Sequence, residues 1–467
     1  MKWWLLSAVT AGAFIFAGCE SASPFKPLPL DRANARDSLT PPAQSRADDA
    51  SEPLRTETPP RPSGRLGLGD ALSLALTHSP RLAAYSTDIR VAEAKAMQAG
   101  RWSNPQLDVE VENIAGSGSF SGVDSAETTV SLAQTFPLGG DIARRREVAQ
   151  ARTRRANWEY ESARLAVLLE ATQRFVDALA ADQRIELSER ELALARATQE
   201  LTIQRVEAGD VSPVEKARVV VPVITAEVAL ERARREREAA YRRVATTWGR
   251  RTVTFDVLVG DMQQLDPLPS VDALIELINR NPEVARWAAE ISARLAEQRL
   301  AEAEALPDLT GRVGVKHNNA DDDVGLVVGV SLPLPIFDRR RGDALAARLG
   351  ASAARQRQRE AELRLEDMLS DAYAQLAASH DEATALRARA LPAATNAYDA
   401  TRRAFDEGKL PFLDVLDAQR TLFDLQSRYI DALAAYHTAA AEIEALIGQR
   451  LTDLNQLVTP IEQETQP

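Results

Sequence analysis

Asp414 and Asp417 lie three residues apart, just after a break spelled Gly408–Lys409–Leu410–Pro411. On a helix that spacing places both carboxylates on one face. Repeated around a narrow opening by several copies of the chain, such a pair would concentrate cations and repel anions. On a lone chain facing water, it would be an ordinary solvated helix start favoured by the helix dipole. Glu215 holds the matching place after Gly209–Asp210–Val211–Ser212–Pro213, but the position that aligns with Asp417 is Arg218. A Glu215–Arg218 charge network, with Arg218 reaching a carboxylate of the other half, would tie neighbouring turns together. The four histidines, His78, His317, His380 and His437, lack metal-ligand spacing. His317 stands beside Asn318, Asn319 and Asp321 to Asp323, which read either as a loose cation site or as a solvated loop. A phosphate-cradling glycine loop, a nucleophile elbow and a zinc motif are all missing, so the chain reads as a non-enzyme without cofactor or metal.

The carboxylates need long helices to position them. Gly408 offers the backbone freedom that ends one helix, and Pro411 suits the first turn of the next; Gly209 and Pro213 do the same earlier. The two stretches belong to a longer repeat. Gly209 to Gly249 and Gly408 to Gly448 both span 40 residues, and Pro80 to Pro105 and Pro282 to Pro307 both span 25. Asp70–Ala71–Leu72 opens one half and Asp272–Ala273–Leu274 the other. The chain is therefore a duplicated unit of roughly 200 residues.

Composition narrows the class. The 467 residues carry a net charge of −12 and few aromatics, with no basic patch, which argues against nucleic acid as a partner. The only cysteine, Cys19, follows a positive start at Lys2 and an apolar run from Trp3 to Phe16. This reads as a signal peptide over 1–18, too short for a membrane-spanning helix. Phe16–Ala17–Gly18–Cys19 resembles a lipobox, although Leu is usual where Phe16 stands. Lipidation of Cys19 is the expectation; an ordinary secreted protein is the alternative. Glu20 follows the cysteine, where an Asp is the commoner signal for inner-membrane retention, so the outer membrane is favoured.

Residues 19–65, rich in Pro, Ala, Ser and Asp, read as an extended tether. A first repeat spans 66–250, a linker 251–270, a second repeat 271–449 and a tail 450–467. Each repeat alternates apolar and polar residues in two runs, about 105–114 and 126–137, then 308–317 and 324–335. Each run has the length of a tilted strand crossing a bilayer. Four strands cannot close a barrel, so membrane strands would have to be pooled between chains, three chains giving 12. Soluble hairpins capping a helical body are the other reading. Residues 141–207 then run without Pro or Gly, long enough for a helix of about 100 Å.

Phe405-x-x-Gly408 followed by Leu413–Asp414–Val415–Leu416–Asp417–Ala418–Gln419, in this repeat context, resembles the TolC family of outer-membrane efflux factors. The resemblance covers about residues 66–449. Asn104–Pro105, Phe136–Pro137–Leu138–Gly139–Gly140 and Leu334–Pro335–Ile336–Phe337–Asp338–Arg339–Arg340 are most similar to its CzcC-like branch, which serves heavy-metal efflux pumps. The resemblance implies a mainly α fold with a small β part: a homotrimeric, 12-stranded outer-membrane β-barrel continued by an α-helical periplasmic barrel. It implies an exit duct working with a periplasmic adaptor and an inner-membrane pump of the resistance–nodulation–division type. Asp414 and Asp417 would form the periplasmic constriction, with Glu215, Arg218 and Phe405 in the gate network. Gly209, Pro213, Gly408 and Pro411 would shape the tips that meet the adaptor or pump. Heavy-metal cations are the expected cargo, with organic drugs or solvents as the alternative within the class. A non-pore periplasmic coiled-coil scaffold is the alternative outside it.

Overall fold

The computed structural model describes residues 60–451, which belong to one compact unit. The signal peptide, Cys19 with its lipidation, nearly all of the tether and the tail from residue 452 lie outside the described residues.

The two repeats share one plan, a helix pair, a strand hairpin, a long helical arm and a returning arm, but break it at different places. The first has α1 (Leu68–His78), α2 (Pro80–Ala99), strands β2 (Gln106–Glu112) and β3 (Glu127–Phe136), α3 (Asp141–Glu207), then short α4 (Pro213–Arg218) and α5 (Val220–Thr246). The second has α6 (Val271–Ile278), α7 (Pro282–Ala303), β5 (Leu309–Asn318), β6 (Asp323–Ser331), α8 (Arg341–Ala385), α9 (Leu391–Asp406) and α10 (Phe412–Ile447). Between α8 and α9 one π-helical turn, Leu386–Ala390, interrupts the ladder. Pro392 explains it: proline has no N–H to donate and crowds the carbonyl one turn earlier, and a wider turn absorbs the misfit. By contrast, α3 has neither Pro nor Gly and runs unbroken for 67 residues, about 100 Å at the helical rise.

Two details depart from the sequence reading. Arg65–Gly67 is strand β1, pairing in parallel with β4 (Val257–Val259), so the tether ends earlier than 65 and the linker 251–270 holds a strand. Leu66 and Leu258 enter a core with Phe175, Tyr241, Trp248 and Phe255. A three-residue strand is too short to display alternation, which hid both. The return strand of the second hairpin also stops at Ser331 rather than near 335, because Pro333 and Pro335 cannot donate to a ladder.

Helices pack along alanine seams. Ala151, Ala178, Ala293, Ala296, Ala351 and Ala354 are buried at contacts where a larger side chain would hold the axes apart. Near the strands the packing order is α2–α3–α7–α8; towards the turns it is α5–α3–α10–α9. The sheet order is β2-β3-β5-β6, antiparallel throughout. At all three levels, one edge belongs to the first repeat and the other to the second.

Candidate functional site

The two helical turns close by the same hydrogen bonds. After α3, the N–H of Asp210 donates to the Arg205 carbonyl at 2.9 Å and that of Gly209 to Val206 at 3.1 Å. After α9, Lys409 donates to Ala404 at 2.8 Å and Gly408 to Phe405 at 2.9 Å. This closure needs a left-handed residue, and Gly209 (φ 82°) and Gly408 (φ 74°) supply it. Ser212 caps α4, with Pro213 in its first turn; Pro411 is the N-cap of α10.

Asp414 and Asp417 are both exposed in the first turns of α10, beside exposed Leu410 and Leu413. The opposite face of α10 is interior, where Phe412, Val415 and Leu422 pack with Val219, Tyr398 and Phe405. This anchoring fixes which way the carboxylates point. Neither has a side-chain partner among the described residues, so within one chain both remain available.

The expected gate residues divide. Arg218 pairs with Glu215 of its own helix at 2.9 Å rather than with a second-repeat carboxylate. The other Glu215 oxygen, Oε2, is buried without a partner among the described residues. Phe405 is only 5% exposed and lies 5.9 Å from the Phe412 ring. Within the chain it is a packing residue of the tip, because its ring is needed where α9 turns into α10.

Sequence reasoning missed Arg205. Its guanidinium lies 4.7 Å from the Phe405 ring centroid and donates to the carbonyls of Phe405 at 3.0 Å and Asp406 at 3.4 Å. A cation thus caps the carbonyl end of α9 from across the repeat boundary. It also missed Glu191 on α3, whose pKa is raised by burial and by the Asp424 carboxylate on α10. In a sequence, a basic residue near a helix end is too common to single out.

At the other end, the ladder puts Leu107, Leu132, Val313 and Val328 in one row and Val109, Val130, Val315 and Leu326 in the next. All eight are exposed, Leu326 at 76%, so one face of the sheet is a continuous apolar surface. The other face carries Asp108, Glu110, Arg312 and Gly329, and Lys316 bonded to Glu112 and Glu127. Apolar outside and polar inside is the pattern of a barrel wall in lipid. Among the described residues no helix is long and apolar enough to cross a membrane.

The histidines find local partners: His317 lies 3.7 Å from Asp322, His437 lies 2.9 Å from the Met262 carbonyl, and His78 lies 2.6 Å from Thr77 Oγ1. No cluster of three His, Cys, Asp or Glu able to hold a metal occurs among the described residues.

A duplicated helix–hairpin–helix chain with an apolar sheet face is the fold of outer-membrane channels. VceC of Vibrio cholerae superposes with a TM-score of 0.68 at 17% identity, over 82% of this chain and 96% of that one. CusC, described through its transmembrane channel formation, gives 0.69 at 15%, over 82% and 92%. The chain belongs to the outer membrane efflux protein family, whose pattern matches residues 71–250 and 273–449. It is 30% identical to the cobalt-zinc-cadmium resistance protein CzcC of Cupriavidus metallidurans over 391 residues, 84% of this chain and 92% of that protein. It is 28% identical to the nickel and cobalt resistance protein CnrC of the same organism, over 64% of this chain and 69% of that one.

Proposed function

We propose that this chain is the exit duct of a tripartite efflux pump that moves heavy-metal cations out through the outer membrane. The observation that carries this reading is the pair of open edges at every level. β2 and β6 leave unpaired backbone groups beside an apolar face, which lipid does not tolerate. An edge from the first repeat that meets an edge from the second on the next copy makes a head-to-tail contact, and such contacts close into rings. Three copies give 12 strands over 12 helices. The ring brings six carboxylates, from Asp414 and Asp417 of each copy, around one periplasmic opening. Glu215 and Arg218 lie at the same level, where they can bridge to a neighbouring copy.

The tips at Gly209–Pro213 and Gly408–Pro411 are the surfaces offered to a periplasmic adaptor and an inner-membrane pump of the resistance–nodulation–division type. Cys19 carries the lipid anchor in this reading. The metal cargo is supported by likeness to the cobalt-zinc-cadmium and nickel-cobalt resistance proteins, and a cation-attracting ring suits it.

The test is growth of a clean deletion strain on a matched panel of metal salts and organic toxicants. Selective loss of metal tolerance, restored by the wild-type gene and only weakly by Asp414→Ala/Asp417→Ala, supports the reading. Sensitivity to dyes and antibiotics with unchanged metal tolerance replaces the cargo with organic compounds.

A further inference from the structure

The apolar surface does not stop where the strands stop. Phe136 pairs with Leu309, and Ser331 with the adjacent Thr310, at the helix-side end of β3, β5 and β6. Beyond Ser331 the chain continues as Leu332–Pro333–Leu334–Pro335–Ile336–Phe337. Within a single chain Leu334 and Ile336 are well exposed, and Phe337 is 99% exposed. On the first hairpin, Trp102 is 59% exposed and meets Phe136 edge-on, with ring centroids 6.0 Å apart. Such a rim would be costly in water, and aromatic side chains of this kind sit at the headgroup level of a bilayer.

Immediately after Phe337 the charge changes. Asp338 Oδ1 accepts from the Arg340 N–H at 2.8 Å, and the Arg340 side chain reaches Glu304 at 2.9 Å. Arg339 and Arg341 are exposed with no carboxylate partner among the described residues, and Arg339 Nε donates only to the Pro335 carbonyl at 3.3 Å. Beneath Trp102 lies a cleft of about 620 Å³ lined in part by Pro137, Ile142 and Arg146. The acids on its wall are occupied or enclosed: Glu147 is held by Arg144 at 3.0 Å and Arg299 at 2.5 Å, and Asp141 is 6% exposed.

We infer that this rim is a docking surface for anionic phospholipid of the membrane leaflet on the helix side. Leu334, Ile336 and Phe337 enter the boundary between acyl chains and headgroups, Arg339 and Arg341 take the phosphate, and Trp102 with Arg146 frames a second headgroup seat. Continuity with the apolar wall fixes the depth, and two arginines without a carboxylate partner beside it fix the sign of the headgroup. The inference rests on the sheet being the membrane wall, as proposed above.

The test places the photoreactive residue p-benzoylphenylalanine at position 337, or at position 326 on the mid-strand wall, in the full chain expressed in cells. Phospholipid adducts at both positions support the inference. An adduct at 326 with cross-linked copies of the chain, or no adduct, at 337 overturns it and leaves the wall intact. No lipid adduct at 326 overturns the wall itself. A second arm measures phosphatidylglycerol and phosphatidylethanolamine retained by the purified oligomer in native mass spectrometry. Arg339→Gln/Arg341→Gln is expected to lower the preference for phosphatidylglycerol about fivefold or more, while the matching lysine variant keeps it. An unchanged preference overturns the arginine assignment.

Discussion

Arg205, at the end of α3, covers the Phe405 ring at 4.7 Å and caps the last carbonyls of α9 across the repeat boundary. The two tips are therefore not independent: the first-repeat turn holds the second-repeat turn that carries Asp414 and Asp417. Removing this cation should free the carbonyl end of α9, at a cost of about 1–2 kcal/mol. With Arg205→Ala, amides of Glu407 to Lys409 should exchange with deuterium roughly tenfold faster, while those of α7 stay unchanged. Arg205→Lys should recover only part, since lysine keeps the charge but not the planar stack.

Asp414 and Asp417 are held outward because Phe412 and Val415 on the same helix are buried. In planar bilayers the wild-type oligomer should prefer cations over anions. Asp414→Asn/Asp417→Asn should lower that preference severalfold at low salt and much less at 1 M salt, where the screening length is about 3 Å. A preference that survives the double change would move the selective element elsewhere in the duct.

Arg218 is half exposed and bonded to Glu215 one turn away, an arrangement worth only about 0.3–0.5 kcal/mol if it is purely intrahelical. Should the pair also bridge neighbouring copies, Arg218→Glu places like charges at the contact and raises the resting conductance. Single-channel recording distinguishes the two. Unchanged conductance would confine Arg218 to its own helix.

The sequence was most legible where physics imposes a period. The alternation of Leu107, Val109 and Val111 located a strand, and the freedom from Pro and Gly over 141–207 located α3. Both tips could be read because Gly209 and Gly408 occupy a backbone region that few other residues adopt. What stayed hidden was short or depended on distant partners. Strands β1 and β4 have three residues each, and their pairing joins positions nearly two hundred residues apart. Arg205 gains its role from Phe405, and Phe405 packs against Phe412 within the chain; neither relationship leaves a local pattern.

At the strand-to-helix corner, a Cβ on Gly139 would overlap the Ala303 carbonyl oxygen, a backbone atom that cannot move aside. Gly139→Ala should cost about 1–3 kcal/mol by overpacking. Because the corner sets the angle between hairpin and α3, the expected readout is a lower yield of heat-resistant oligomer in the outer-membrane fraction. Gly325→Ala is the control, since nothing lies within 4 Å of its added Cβ. It should leave the yield unchanged.

Glu191 and Asp424 give the helical body a pH dependence whose sign can be worked out. Burial raises the Glu191 pKa first, and the facing Asp424 carboxylate adds to it. No arginine or lysine forms an ion pair with Glu191 among the described residues, and no cation enters the causes of its shift. A carboxyl whose folded pKa lies above its unfolded value binds its proton more tightly in the folded state. Its protonated form therefore stabilises the fold at low pH, and that contribution is lost as pH rises through the folded pKa. Glu191→Gln keeps the size and removes the charge. The variant should melt higher than wild type at pH 8, with the gap closing as pH falls toward the ordinary carboxylate range. Thermal melts of the purified oligomer across pH 4–8 measure this directly. A constant gap at every pH would mean that Glu191 acts through packing, and that its repulsion with Asp424 is relieved by the surrounding water.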